Sequence, residues 1–255
     1  MAENVPARST LQDRVYAELS ADIARGVLGS GERLRVAHLA KRFGTSQAPV
    51  REALRRLTEE GLAVTEPYVG SVVREPSWSE IQDIYAVRAE LETYAIRRIF
   101  VRRPPASMAP LQRALREMER AVRAGDELQV IEADLAFHRQ VCELSGSPLT
   151  LEIWESITQR ARGARVAFMR QRLDRLDTVV PSHALLVDAL TAGDSAHTED
   201  LFRGHLADAI EDFAQITGLT IDQQALAGTR VGSSEGALSE RKRVSAPKAA
   251  KVSAR

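Results

Sequence analysis

Residues 44–57 read GTSQAPVREALRRL, and the fold predicted for the first part of the chain follows from them. Its glycine can adopt the left-handed conformation that closes a preceding helix, and its serine can cap the helix that follows. The proline is tolerated because it falls within the first turn of that helix. The stretch therefore predicts the tight connection of a helix-turn-helix together with its second helix. The apolar residues of that helix share one face: Val50, Ala53, Leu54 and Leu57.

Two helical patterns precede this stretch, and a short β-pattern follows it. The helical patterns consist of Leu11, Val15, Leu19 and Ile23, and of Val36, Leu39, Ala40 and Phe43. Residues 62–65 and 71–73 flank a turn signal at residues 67–70, so they predict a small β-hairpin. Three helices followed by a hairpin predict a winged helix-turn-helix, with the hairpin as the wing.

Charge is segregated along the chain, although 35 Lys and Arg balance 35 Asp and Glu. The window from Arg33 to Arg56 holds seven basic residues and one acidic residue. Residues 76–228 carry 17 basic and 23 acidic residues, whereas residues 229–255 carry seven and two. A basic head, an acidic body and a basic tail do not fit one uniform enzyme domain. A solvated charged face is the simpler alternative for each run.

The second helix of the motif can present Gln47, Ala48 and Arg51 to a DNA major groove, while its dipole and the basic cluster meet phosphates. Residues 34–73 closely resemble the winged helix-turn-helix of the GntR family of bacterial transcription regulators, on the strength of GTSQAPVREALRRL and of EGL at residues 60–62. The DNA contacts that the resemblance implies are Arg35, Gln47, Arg51, Tyr68 and Gly70. An ordinary surface role is the alternative for the arginines and the tyrosine.

One departure from the family pattern concerns the operator. Gln47 and Ala48 stand where the family often has Arg-Thr after the capping serine. Arginine suits guanine, whereas glutamine has the geometry for adenine and alanine offers only apolar contact, for example to a thymine methyl. The preferred operator is therefore expected to differ from the family's common one.

The remainder of the chain is predicted to be helical, which makes the fold class mainly α. From residue 79 to residue 218 there is only helical periodicity, and its five breaks predict an all-α bundle of six helices. The breaks lie at residues 103–105, 124–126, 145–148, 178–181 and 192–194. The predicted organisation is a flexible N-terminus (1–10), a DNA-binding domain (11–75), a helical domain (79–218) and a disordered basic tail (229–255).

Four ligand-type residues of the helical domain fall on apolar helix faces. Asp134 and His138 are four residues apart and so lie one turn above each other. His183 and His205 lie ten residues before and twelve residues after Gly193, the turn of a predicted helical hairpin, so antiparallel packing brings them to nearly the same level. One Asp and three His suit a divalent cofactor, Zn²⁺ first, with Ni²⁺ or another late first-row ion as alternatives. For each histidine alone, a hydrogen-bonded core residue is the simpler interpretation.

This set resembles the metal site of the FCD effector domain, which follows the GntR head in the FadR subfamily. The likeness rests on DLAFH at residues 134–138, on Ser182 beside His183 and on RGH at residues 203–205, and the helix count is similar to the shorter, VanR-like branch. All four ligand positions are filled, and Ser147 stands where such domains often have Asn.

Arg88 shares the apolar stripe of the first body helix and is predicted to point inward, where it needs an anionic partner. The resemblance implies a small organic-acid effector that the metal and Arg88 hold together. An ion pair between Arg88 and a glutamate of the bundle is the alternative.

These features predict a metabolite-responsive transcription regulator, most commonly a repressor in this family, that binds a palindromic operator on double-stranded DNA as a homodimer. The single cysteine, Cys142, excludes an intrachain disulfide and a Cys-rich zinc site. No apolar run reaches the length of a membrane span and the start lacks the features of a signal peptide, so we expect a cytoplasmic, nucleoid-associated bacterial protein with no membrane partner.

Two other function classes use the same residues. The first is a metal-dependent hydrolase in which the four-residue site activates water. No separate general base stands out beside the ligands, so we expect no enzyme. The second is an architectural DNA-binding protein whose metal is purely structural. The sequence gives neither the identity of the effector nor the operator sequence.

Overall fold

A computed structural model describes residues 10–102, 108–169 and 176–222 of the chain. Within these ranges the fold is mainly α, as predicted, with a two-stranded hairpin after the first three helices. The predicted basic tail and nearly all of the predicted flexible N-terminus lie outside the described residues. Among the helices of the described ranges, none is both long and apolar enough to cross a lipid bilayer.

The first domain is a winged helix-turn-helix, as the sequence predicts. It consists of α1 (Leu11–Ala24), α2 (Val36–Arg42), α3 (Gln47–Glu59), β1 (Ala63–Glu66) and β2 (Gly70–Val73). Gly44 has a φ of 61° and connects α2 to α3, which explains why glycine stands there. Ser46 is the N-cap residue of α3 but its side chain makes no capping hydrogen bond. The strands are antiparallel, with Ala63 opposite Val73.

The helices of this domain are held together by the apolar faces that the sequence pattern predicts. Val15 and Leu19 of α1 pack against Val50 and Leu57 of α3 in one buried cluster. Each fully buried side chain of this size contributes about 1.5–3 kcal/mol through removal of apolar surface from water. The packing leaves the first turn of α3 on the outside of the domain.

A buried ion cluster also belongs to this domain. The Asp22 carboxylate is almost inaccessible and accepts hydrogen bonds from Arg25 at 2.7 Å and from Arg42. Burial tends to raise the pKa of Asp22, but Arg42 and Arg25 outweigh burial and bring the pKa below its ordinary value. The guanidinium groups themselves reach solvent.

The second domain contains six helices within the described ranges, the number that the sequence predicts. They are α4 (Trp78–Arg102), α5 (Ala109–Ala124), α6 (Glu127–Leu144), α7 (Pro148–Met169), α8 (Leu176–Ala192) and α9 (Ser195–Thr217). The break expected at residues 178–181 is wrong, because α8 continues through Pro181. Pro181 lies inside the helix, where its ring nitrogen cannot donate a backbone hydrogen bond.

The second domain packs α4 against α6, α7 and α9, and α8 lies beside α9. Its core contains Ile96 of α4, Phe137 of α6 and Phe202 of α9, all fully buried. The two domains touch through α1 and α7, where the Gln159 amide donates to the Ser20 hydroxyl at 2.8 Å. The helical domain is therefore in direct contact with the domain that carries the helix-turn-helix.

Candidate metal centre and nucleic-acid interface

Three helices of the second domain place the four predicted ligand residues together. Asp134 and His138 lie on α6, His183 on α8 and His205 on α9. Each offers one ligand atom, and these four atoms lie within 4.8 Å of one another. The imidazole centroids of His183 and His205 are 4.5 Å apart, as expected if the α8–α9 hairpin brings them to one level. Three of the four residues are buried and the fourth, His205, is half-buried.

The hydrogen bonds of His183 identify which of its ring nitrogens faces the cluster. Nδ1 lies 2.8 Å from the backbone carbonyl oxygen of Val179, and a carbonyl only accepts, so Nδ1 carries the proton. Nε2 then holds a lone pair. Among the described residues this buried atom has no hydrogen-bond partner, and it lies 3.3 Å from the Asp134 carboxylate oxygen. A ring nitrogen and a carboxylate oxygen at this distance are both ligand atoms for a single metal cation.

His138 is held by a residue that sequence reasoning missed. Its Nδ1 lies 2.6 Å from a carboxylate oxygen of Glu92, which is fully buried on α4. The other oxygen of Glu92 accepts from Trp154 Nε1 at 2.8 Å and from Arg88 at 3.1 Å. Burial tends to raise the pKa of Glu92, but His138, Arg88 and Trp154 outweigh burial and lower the pKa to about 2. The sequence does contain a signal that Glu92 points inward, because Glu92 follows Arg88, which is predicted to point inward, by one helical turn.

Burial also sets the protonation state of two of the histidines. It lowers the pKa of His138, although Glu92 opposes the shift. It lowers the pKa of His205 well below the ordinary value, and the neighbouring His183 and His138 add to the effect. Both imidazoles are therefore neutral near pH 7, which is the form that binds metal ions.

A small cavity of about 110 Å³ adjoins the four residues. Its volume is well below the roughly 300–1,000 Å³ of sites for drug-sized ligands, so it suits a small molecule. Besides the four cluster residues, its wall includes Tyr85, Val130, Ser182, Leu206, Asp208 and Asp212.

Arg88 is buried, as predicted, but its contacts differ from the effector role expected for it. Its Nε and Nη2 atoms lie 3.2 and 3.1 Å from Glu92, and it is not among the residues that line the cavity. A buried guanidinium pairs with the carboxylate one turn away because an unpaired buried charge is costly. The described contacts of Arg88 are thus those of the alternative, an ion pair within the bundle, and effector binding by Arg88 stays a prediction.

The predicted DNA contacts are all exposed residues of the first domain. Gln47, Ala48 and Arg51 occupy the first turns of α3, and Arg35 precedes α2. Arg51 Nη2 donates to Gln47 Oε1 at 2.9 Å, so in the free protein this pair presents N–H donors. The predicted adenine contact uses Gln47 Oε1 as an acceptor, and this oxygen has a second lone pair for it while Arg51 donates to the first.

The wing ends in a strained turn. Tyr68 has a φ of 63°, a conformation that is unusual for a residue with a bulky side chain, and its ring is fully exposed. Gly70, with a φ of 96°, also needs the left-handed region. Arg33, to which the sequence assigned no individual role, donates to the Val69 carbonyl at 2.6 Å and ties the wing to the strand-like segment before α2.

A winged helix-turn-helix joined to an all-helical domain defines a DNA-binding transcription regulator. The model of the bacterial regulatory proteins of the gntR family matches residues 11–73, and the FCD domain model matches residues 83–208. The chain belongs to the GntR family and carries an FCD domain. It is a transcription regulator and not an enzyme.

Similarity to individual proteins extends over both domains. The HTH-type transcriptional repressor GlaR of Escherichia coli is 29% identical over 222 residues, which cover 84% of this chain and 96% of GlaR. The gluconate operon transcriptional repressor of Bacillus licheniformis is 27% identical over 226 residues, or 87% and 91% of the two chains. The solved structure of E. coli McbR/YncC has a TM-score of 0.71 at 26% identity and covers 81% of this chain and 98% of McbR.

Proposed function

We propose that the protein is a metabolite-responsive transcription repressor that binds a palindromic operator as a homodimer. A small carboxylate, bound at a divalent metal ion, controls its affinity for DNA. The metal ligands are Asp134, His138, His183 and His205. The two curated relatives described above are named repressors, one of them of a gluconate operon, and both span the two domains, which supports repression as the mode of regulation.

The observation that carries the metal proposal is the buried Nε2 of His183. Burying a polar atom without a partner costs about 1–3 kcal/mol, so such atoms persist where a ligand uses them. Three imidazole nitrogens and one carboxylate oxygen are a donor set for Zn²⁺ or another late first-row ion, which would supply a positive centre for an anion.

Charge balance supports a carboxylate as the effector. Arg88 and Glu92 neutralise each other, and the neutral imidazoles of His138 and His205 add no charge. Among the four ligands Asp134 is the remaining charge, so a divalent ion leaves one net positive charge at the ligand set, which attracts a single carboxylate, while Asp208 and Asp212 of the cavity wall oppose that attraction. The size of the cavity restricts the effector to a small molecule.

The surface of α4 supports the homodimer. Val87, Tyr94 and Val101 recur every seven residues on this helix, and 45%, 43% and 84% of their respective surfaces are exposed. Exposed apolar residues at heptad spacing are typical of a helix that packs against another helix. A second copy of the chain would also supply the second recognition helix that a two-fold symmetric operator needs.

A thermal-shift screen of small metabolic carboxylates tests the proposal, with Zn²⁺-loaded and chelator-treated protein in parallel. Specific binding raises the melting temperature by mass action, so we expect stabilisation only in the loaded protein. Each carboxylate that binds is then tested for release of the dimer from an operator obtained by selection from random DNA. His183→Ala should abolish both effects, whereas His197→Ala, at an exposed histidine outside the cluster, should change neither.

Two results would contradict this proposal in different ways. A purified dimer without sequence-selective DNA binding, with or without metal, contradicts the regulator. Ligand variants that lose stability while no small molecule changes DNA affinity support the architectural alternative with a structural metal.

A further inference from the structure

We propose that Glu92 is a positioning residue that sets His138 for metal coordination. Glu92 holds the proton of His138 on Nδ1 and leaves the lone pair on Nε2. The inference rests on the proposed metal site and adds to it a residue from a fourth helix, α4.

The two carboxylate oxygens of Glu92 have different hydrogen-bond partners. One carboxylate oxygen accepts from Trp154 Nε1 at 2.8 Å and from Arg88 Nη2 at 3.1 Å, and both of these groups can only donate. The other oxygen lies 2.6 Å from His138 Nδ1. The buried guanidinium of Arg88 supplies the positive charge that matches an ionised carboxylate. An ionised Glu92 only accepts, so Nδ1 of His138 must donate.

The proton on Nδ1 determines which nitrogen of the His138 ring carries the lone pair. A neutral imidazole has one N–H, and with the proton on Nδ1 the lone pair lies on Nε2. Histidines that bind metal ions almost always donate their other N–H to a carboxylate or a carbonyl, which fixes both the tautomer and the ring orientation. Glu92 gives His138 this arrangement.

His183 makes the same kind of hydrogen bond as His138. His183 donates its Nδ1–H to the backbone carbonyl of Val179 at 2.8 Å, so it too has its lone pair on Nε2. A backbone carbonyl on α8 and a side-chain carboxylate on α4 thus give two histidines the same tautomer. A core histidine without a ligand has no reason to keep its Nε2 without a partner, as His183 does among the described residues.

Glu92→Gln tests the inference with almost no change in shape. The amide oxygen of the new side chain can still accept from Trp154, but its NH₂ group donates toward His138 and moves the proton of that ring to Nε2. We expect the affinity for Zn²⁺, measured by competition with a chromogenic chelator, to fall by about 10–100-fold. In metal-free protein, long-range ¹H–¹⁵N NMR should report the Nδ1–H tautomer of His138 in the wild type and the Nε2–H tautomer in the variant.

Two further variants separate positioning from packing. Trp154→Phe removes one donor from Glu92 but keeps its contact with His138, so Zn²⁺ affinity and tautomer should stay close to wild type. Because Glu92→Gln leaves the buried Arg88 without its counter-ion, the double change Arg88→Met/Glu92→Gln removes both charges. It should reproduce the loss of Zn²⁺ affinity if the single variant folds poorly.

The outcomes distinguish this inference from the proposed function. Wild-type Zn²⁺ affinity together with an unchanged His138 tautomer, in either protein that carries Glu92→Gln, overturns the role of Glu92. Absence of Zn²⁺ binding by the wild type overturns the metal site itself. In that case the NMR measurement on metal-free protein still decides whether Glu92 fixes the tautomer.

Discussion

Each domain buries a group of ionisable side chains, and the two groups differ in how completely they are partnered. In the DNA-binding domain, the Asp22 carboxylate accepts from two arginines whose charges reach solvent. In the FCD domain, His183 Nε2 has no donor within the described ranges and faces a carboxylate at 3.3 Å. A satisfied buried group stabilises a fold, whereas an unsatisfied one lowers stability and is retained where a ligand binds. Asp22 therefore belongs to the structure of its domain, and His183 Nε2 is the atom for which we propose a metal ion.

The largest effect is expected from Asp134→Asn. Loss of the anionic ligand should lower Zn²⁺ affinity by more than about 100-fold, since changes outside the ligand set already cost about 10–100-fold. The new amide can donate to His183 Nε2, so the metal-free protein should become more stable, by about 0.5–1.5 kcal/mol for one hydrogen bond. Chelator competition and urea unfolding measure the two quantities.

A matched control is Asp188→Asn, which changes an exposed carboxylate of α8. It should affect neither Zn²⁺ affinity nor stability. Destabilisation of the metal-free protein by Asp134→Asn would mean that the cluster is satisfied without a cation, and the contrast between the domains would fail.

Asp22→Asn should have the opposite signature, a loss of stability without any change in metal affinity. We expect the free energy of unfolding of the first domain to fall by about 2 kcal/mol, below the roughly 3–5 kcal/mol typical of fully buried pairs, because solvent screens the arginines. The folded pKa of Asp22 lies below its ordinary value of 3.8. Its contribution is therefore complete above pH 3.8 and is lost as the pH falls through the folded pKa.

The wild type should consequently lose its advantage over Asp22→Asn in strongly acidic solution. Thermal unfolding at several pH values between neutrality and strong acid measures this convergence. A constant difference between the two proteins over that range would show that the Asp22 charge does not stabilise the domain.

Two arginines on the exposed surface of α3 also differ in how completely they are partnered. Arg51→Ala should lower operator affinity by about tenfold, because Arg51 is held only by the uncharged Gln47 within the described residues and is predicted to face the groove. Arg55→Ala should cost less, since Arg55 already pairs with Glu52 at 2.8 Å and Glu59 at 2.6 Å. Electrophoretic mobility shifts at two salt concentrations measure both. Equal losses with equal salt dependence would mean that neither arginine reads bases.

The smallest effect on stability is expected from Tyr68→Gly at the tip of the wing. Glycine adopts the left-handed backbone of Tyr68 without strain, but it gains freedom in the unfolded chain, so the net gain in stability should be under about 1 kcal/mol. Operator affinity should fall in the same variant, because the exposed ring is lost. A variant with wild-type affinity for the operator would exclude a DNA contact by Tyr68.

Much of the first domain could be predicted from the sequence because its signals are local. The apolar spacing of α3, the glycine that ends α2 and the turn between the strands each act over a few residues. Two of the four ligand residues, Asp134 and His138, are also local, one turn apart on α6. His183 and His205 follow from a helical hairpin around Gly193, whose geometry fixes their levels.

Partners that come from distant parts of the chain could be identified only from the folded structure. Glu92 meets His138 and Trp154 across 46 and 62 residues, and that contact depends on how α4 packs against α6 and α7. The tertiary packing also leaves His183 Nε2 facing Asp134, whereas Arg88 and Glu92 pair within one turn of α4. Helical periodicity shows which face of a helix turns inward. The partner of a buried charge depends on which other inward faces lie against that charge, and only the three-dimensional packing of the helices determines this.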